Sequence, residues 1–263
     1  MAKPNSSYRD FADRLRHGER LAGTFVKTPT SHATEMLGAI GFDFAVFDME
    51  HAPIDLGALD MMLLAARAAN IASVVRVAEG SAAAILSALD AGASGVLVPH
   101  VSSRAKAEEI VAHCRFGKGR RGFANTTRAG AFGAAGFREH MERQDRETAC
   151  IAMIEDLEAV DRIDEILAVD GLDAIFVGRG DLTAALGENT MNCEATMQVV
   201  RPIMQAARHA EMPAMALCID RRDAQAMAAL GATAFMMGSD HGFMQKAARE
   251  ALAALAPPIA SKD

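Results

Sequence analysis

Two carboxylates, one imidazole and one guanidinium each stand at the end of a short apolar run, although they are scattered along the chain. Glu155 closes "CIAMIE", Asp181 follows "IFVGRG", His51 follows "FAVFDME" and Arg76 ends "SVVR". A carboxylate pair with no thiol or histidine between its members suits a hard, oxygen-preferring divalent cation, Mg²⁺ or Mn²⁺. Such a pair leaves coordination positions open for water and a chelating substrate. An imidazole at a strand end can shuttle a proton, and an arginine there can stabilise an enolate oxygen. Asp90 lies in the last turn of a predicted helix, Ser81–Ala91, where the helix dipole disfavours an anion. It is therefore a candidate for orienting His51.

Each residue also has a plainer reading. Asp181 could be the N-cap of "DLTAAL", and Glu155 a charge favoured at a helix start. His51 could be a solvent-facing histidine and Asp90 a solvated charge. Arg76, in an apolar strand, could be half of an ion pair with Glu79 or Asp48, because burying it alone is expensive. Convergence on strand ends is what favours the chemical reading. No lysine ends a strand, and Lys27, just past the first one, is the nearest. Imine chemistry on a lysine is accordingly not expected.

The elements that must position these groups are visible as eight apolar segments bounded by Gly, Pro or Asp. They predict strands at 21–26, 42–47, 72–77, 94–99, 150–155, 173–177, 213–218 and 233–237. Their near-continuous apolarity fits parallel strands covered on both faces. Ala- and Leu-rich stretches predict helices between them, at 56–69, 81–91, 105–114, 160–168, 193–209 and 224–229. The recurring tags "GAIGFDFAVFD", "DAGASGVLVP", "VDGLDAIFVG" and "ALGATAFMMG" each read as a glycine-capped helix, a turn and the next strand. Eightfold alternation predicts one α/β domain, a parallel (β/α)₈ barrel over residues 1–263, a fold of typically about 250 residues. An open doubly wound sheet would need a glycine-rich nucleotide loop after its first strand. Neither GxGxxG nor GxxxxGK[ST] occurs there, so no nucleotide cofactor is expected.

One connection breaks the short-loop rule. Residues 116–137, "FGKGRRGFANTTRAGAFGAAGF", lack helical or strand periodicity. Coming after the fourth strand, they are expected on the catalytic face, with a solvated surface loop as the alternative. The final helical stretch, 240–255, carries Phe243, Met244, Leu252 and Leu255, and its pattern favours closing the barrel.

The chain is 51% hydrophobic and 23% charged, with a formal net charge of −7, one Tyr and no Trp. Basic residues cluster only around Lys118–Arg121, which argues against a nucleic-acid partner. The four cysteines are far apart and without metal-finger spacing, as in a reduced, cytoplasmic protein. The first twenty residues lack an apolar signal core, and no apolar run reaches the ~20 residues a bilayer span needs, so no membrane association is expected.

At these residues the chain resembles the HpcH/HpaI aldolases, the class II pyruvate aldolases. The resemblance runs from Leu21 through the last strand. It rests on "FDMEHAP", "VRVAEGSAAAILSALDAGASGVLVPHV", "RRGFANTTRAGAFG", "MIEDLEAVDRIDEILAVDGLDAIFVGRGDLTAALG" and "GATAFMMGSD". It implies metal-dependent, reversible cleavage of a 4-hydroxy-2-oxo acid to pyruvate, or a close 2-oxo acid, and an aldehyde. Oxaloacetate decarboxylation or a related lyase reaction is the alternative. The implied roles are His51 as catalytic histidine with Asp90 as its acidic partner, and Arg76 as the enolate-stabilising arginine. Glu155 and Asp181 would hold Mg²⁺, Mn²⁺ or Co²⁺, and the amides of Gly180 and Asp181 would cradle the pyruvate carboxylate. Arg121, Gly122, Arg128 and Phe132 would form a phosphate- or substrate-facing loop. The resemblance further implies a homo-oligomer, a hexamer built as a trimer of dimers that exchange their C-terminal helices. Two positions depart from the pattern. Met153 stands where a substrate-contacting glutamine is usual, and Arg179, where proline is frequent, is expected to add a charge at the mouth.

Overall fold

The computed structural model describes residues 7–255; residues 1–6 and 256–263 of the expected 1–263 domain lie outside that range. Eight strands close in sequence order into an all-parallel barrel. They are β1 (Leu21–Val26), β2 (Phe44–Asp48), β3 (Ala72–Arg76), β4 (Gly95–Val98), β5 (Ala149–Ile154), β6 (Ala174–Val177), β7 (Ala214–Cys218) and β8 (Ala232–Ser239). The helices are α1 (Phe11–Arg16), α2 (Ser31–Ile40), α3 (Leu56–Ala68), α4 (Ala82–Asp90), α5 (Arg104–Cys114), α6 (Phe137–Glu147), α7 (Leu157–Val160), α8 (Ile163–Leu167), α9 (Arg179–Ala185), α10 (Glu194–His209), α11 (Arg221–Leu230) and α12 (Asp240–Ala254).

The strand pleat sorts the apolar side chains into two cores. Phe44 and Val46 fill the barrel interior together with Val74, Ile151, Phe176 and Met236. Their neighbours Ala45 and Phe47 point outward and pack with Val75, Ile154 and Val177 beneath the helices. α1 belongs to the interior cluster through Phe11 and Leu15, and the Phe11 ring lies 5.3 Å from that of Phe44. It therefore plugs the barrel at the end where the strands begin. Gly41 and Gly231, at φ 101° and 110°, end α2 and α11 in the left-handed conformation that the tags predict.

Three expectations are corrected. The single helix at 160–168 is two short ones, α7 and α8. Segment 116–136 follows α5, not β4, so it starts from the side where strands begin and leads through α6 into β5. There the side chain of Arg128 hydrogen-bonds the carbonyl oxygen of Ala91, and it lines a cleft with Ala93 and Ser94, just before β4. This segment does not lie on the catalytic face of its own chain. Finally, α12 buries none of its residues and leaves Met244 and Leu252 exposed, as is Leu255 just after it, so it does not close the barrel.

Candidate active site

The mouth is built where β1, β2, β3, β5 and β6 end. Register places Asp48 of β2 beside Arg76 of β3. The fully buried Asp48 carboxylate accepts from Arg76 Nε at 3.0 Å and Nη2 at 2.7 Å, and from the backbone amides of His51 and Glu50. Burial pushes the Asp48 carboxyl up, but the hydrogen bonds and charge of Arg76 outweigh it and hold the group below its ordinary value. Arg76 Nη1 also lies 3.2 Å from Glu50, and the guanidinium sits over the Phe25 ring at 4.9 Å. The ion pair expected as the plainer reading of Arg76 is thus present, and the same arginine lines the mouth.

Glu155, at the end of β5, is almost wholly buried and accepts from the backbone amide of His100 at 2.9 Å. Burial pushes its carboxyl up to about 7; the His100 amide opposes the shift and the nearby charge of Asp181 adds to it. Asp181 is exposed, in the first turn of α9. Gly178 makes their approach possible, since a Cβ there would lie 2.5 Å from Glu155 Cβ and 2.9 Å from its Oε2.

This pair fits a hard cation on chemical grounds. Two facing carboxylates repel, and among the described residues no lysine or arginine forms an ion pair with either. No group of three or more His, Cys, Asp or Glu that could hold a metal occurs among the described residues. The chain would therefore contribute two carboxylates and leave the other positions to water and substrate. Gly180 and Asp181 stand at the opening of α9, where backbone N–H groups lack partners within the helix.

Arg76, Met153, Gly178, Gly180 and Asp181 line one cavity of ≈ 270 Å³, whose apolar lining includes Phe25, Phe176 and Leu217. Met153 is buried in its wall. A thioether cannot donate the hydrogen bond that an amide can. Arg179 overturns its expectation. Its side chain is fully buried and paired in a fork with Asp223, at 3.0 and 2.6 Å, with further bonds to Asn192 Oδ1 and the Leu217 carbonyl. Its charge is spent in the wall instead of being added to the mouth.

His51 stands at the rim, 55% exposed in its side chain, with Nε2 3.7 Å from Glu50. Asp90 does not join it. Asp90 ends α4, on the side where strands begin, and pairs with Arg121 at 3.1 Å. The other loop candidates are equally remote from the cavity. Gly122 packs against Leu86, Arg128 pairs with Asp60 at 2.8 Å, and Phe132 is exposed at φ 55°. Sequence reasoning missed His100, which follows β4 at φ 55°, a costly conformation for histidine. Its ring lies between Asp156 at 3.1 Å, Glu155 at 3.6 Å and Glu50 at 3.9 Å. Burial lowers its pKa, but the three acids outweigh it and raise it. The signal was present in "VLVPHV", a strand end of the same kind as the one before His51.

The sequence family described as HpcH/HpaI aldolase/citrate lyase matches residues 21–247. A protein named 5-keto-4-deoxy-D-glucarate aldolase, from Shigella dysenteriae serotype 1 (strain Sd197), is 34% identical over 221 residues, 83% of this chain and 85% of the relative. The crystal structure of an HpcH/HpaI aldolase/citrate lyase family protein from Burkholderia cenocepacia J2315 superposes with a TM-score of 0.88 at 29% identity, covering 94% of this chain and 99% of that one. The citrate synthase SbnG superposes with a TM-score of 0.84 at 32% identity, covering 92% and 96%.

Proposed function

The chain belongs to the HpcH/HpaI aldolase/citrate lyase family of carbon–carbon lyases, and from that premise we propose that it cleaves a 4-hydroxy-2-oxo acid reversibly to pyruvate, or a close 2-oxo acid, and an aldehyde. The observation that carries this reading is the mutually repelling Glu155–Asp181 pair, sharing one mouth with Arg76. A divalent cation held by that pair, Mg²⁺, Mn²⁺ or Co²⁺, would supply Lewis acidity to the 2-oxo group. Gly180 and Asp181 offer backbone donors to the substrate carboxylate. Arg76, fixed by Asp48, donates toward the oxygen on which enolate charge collects. His51 accepts the hydroxyl proton as the C3–C4 bond breaks and the aldehyde departs.

The test is pyruvate release from such an acid. Chelation, Glu155→Ala and Asp181→Ala should each abolish it, and Mg²⁺, Mn²⁺ or Co²⁺ should restore the chelated enzyme. Undiminished turnover by metal-stripped protein overturns the reading.

Met153 favours a second outcome, oxaloacetate decarboxylation or a related lyase reaction, because the wall offers the substrate no amide donor at that point. The likeness to a citrate synthase also supports other carbon–carbon chemistry at such a mouth. Comparing oxaloacetate with hydroxy-oxo acids as substrates separates the two.

The exposed apolar face of α12 supports assembly into a homo-oligomer, which the family resemblance would make a hexamer, a trimer of helix-exchanging dimers. Asp90 cannot reach His51 within one chain, so the dyad would form between subunits; light scattering tests the assembly. Four unpaired cysteines support a cytoplasmic setting, and among the described residues no helix is long and apolar enough to cross a membrane.

A further inference from the structure

Lys27, just beyond β1, lines the same mouth cavity as Arg76 and Asp181. In a closed barrel of eight strands β1 lies across from β5, so Lys27 stands across the mouth from the strand that carries Glu155 at its end. Asp181 lines one side of the cavity, and Lys27 and Arg76 line the other, with their partner carboxylates Asp48 and Glu50. A 2-oxo acid that spans this cavity with its carboxylate end at the β5–β6 wall brings its far end toward β1 and Lys27.

Three cations line this cavity, and two are committed. Arg179 is spent on Asp223, and Arg76, held by Asp48 and Glu50, is assigned to the substrate's enolate oxygen. Lys27 Nζ makes one ion pair, with Asp48 Oδ2 at 3.1 Å, and its side chain stays 28% exposed. That pairing is not what satisfies Asp48, which already accepts two bonds from Arg76 and two from backbone amides. Nor does it fix Lys27 in place. The carboxylate of Asp240 does that, accepting from the backbone amides of Lys27 at 3.0 Å and Thr28 at 2.9 Å. An ammonium has three donors. Two of them remain at the cavity, on a residue whose backbone is already anchored.

We infer that Lys27 determines specificity by binding a carboxylate on the far half of the substrate, so that the aldehyde product, or acceptor in the reverse direction, is itself an acid. This inference rests on the aldolase reading for its reaction but not for its binding. The apolar wall formed by Phe25, Phe176 and Leu217 would otherwise favour an uncharged acceptor, which makes the lysine the discriminating group.

The experiment has two arms, each comparing wild type with Lys27→Met and Lys27→Arg. In the first, Mn²⁺-loaded enzyme condenses pyruvate with glyoxylate or with the uncharged glycolaldehyde. Lys27→Met should lower the glyoxylate-to-glycolaldehyde ratio of kcat/KM at least tenfold, through KM, and Lys27→Arg should restore most of it. In the second, calorimetry measures binding of 2-oxoglutarate against 2-oxopentanoate, which has the same length and no distal charge. Wild type should prefer the diacid about tenfold, the value of one charge-assisted hydrogen bond, and Lys27→Met should lose the preference. Equal losses for both members of each pair, or no wild-type preference in binding, overturn the inference. If no aldehyde turns over, the aldolase reading fails, and the calorimetric arm still decides the role of Lys27. A purely structural role would instead lower the melting temperature without changing either ratio.

Discussion

Arg179 and Asp223 form a two-pronged ion pair in which both side chains are essentially inaccessible to solvent. It ties the first residue of α9, two positions before Asp181, to α11. Removing one partner strands a buried charge, which typically costs about 3–5 kcal/mol. Asp223→Ala should therefore lower the urea midpoint sharply and weaken Mn²⁺ binding. The double replacement Arg179→Met with Asp223→Leu should recover most of the stability, because no charge is then left unpaired.

Acid should compete with metal at Glu155. Its carboxyl is raised to about 7, chiefly by burial, so the folded chain holds the proton more tightly than the unfolded one. Without metal, this group stabilises the fold below its unfolded pKa, near 4.3, and the contribution is lost as pH rises through about 7. Metal affinity runs the other way, because the proton must leave first. Mn²⁺ affinity followed by electron paramagnetic resonance should rise roughly tenfold per pH unit up to about pH 7 and then level off. Glu155→Gln should bind weakly with no such slope.

Gly178→Ala tests how tightly the pair is packed. The backbone there, at φ −77°, is ordinary for alanine, so the effect is steric. The new methyl group would meet Glu155 Cβ and Oε2 and displace the carboxylate. Metal affinity should fall about tenfold or more, as when other supports of a metal ligand are lost, while the melting temperature changes by a few degrees. An unchanged Mn²⁺ titration would show that the carboxylate does not bind the cation from this position.

Mixing His51→Ala with Asp90→Asn subunits probes where the dyad forms. Within one chain the two residues stand on opposite sides of the barrel, with Asp90 bound to Arg121. If they meet across a subunit boundary, mixed assemblies contain sites with both residues intact, and activity should exceed the sum of the parents. Activity equal to that sum places the dyad outside the mechanism.

The barrel was legible because strand identity is a local property. The runs that became β1 to β8 are apolar on both faces, and glycines mark the turns that separate helix from strand. Strand-end chemistry followed from that, which is why Arg76, Met153, Gly180 and Asp181 reach one cavity. Asp90 and segment 116–136 were misplaced for a topological reason. The connection has two halves, and a helix between them returns the chain to the other side of the barrel. Arg179 was misread because its partner Asp223 lies 44 residues away, beyond any local pattern. Within that segment, Ala131 and Phe132 carry no sequence mark of their left-handed backbone.

The carboxylate of Asp240 performs two tasks at once. It stands at the start of the solvent-exposed α12, and it grips the amides beside Lys27. If α12 docks on a neighbouring copy, as proposed, that contact bears directly on the residue inferred to read the substrate's far end. In such an assembly, subunit concentration would become a variable of selectivity through mass action. Dilution that dissociates the assembly should blur the choice between charged and uncharged acceptors before the barrel itself unfolds.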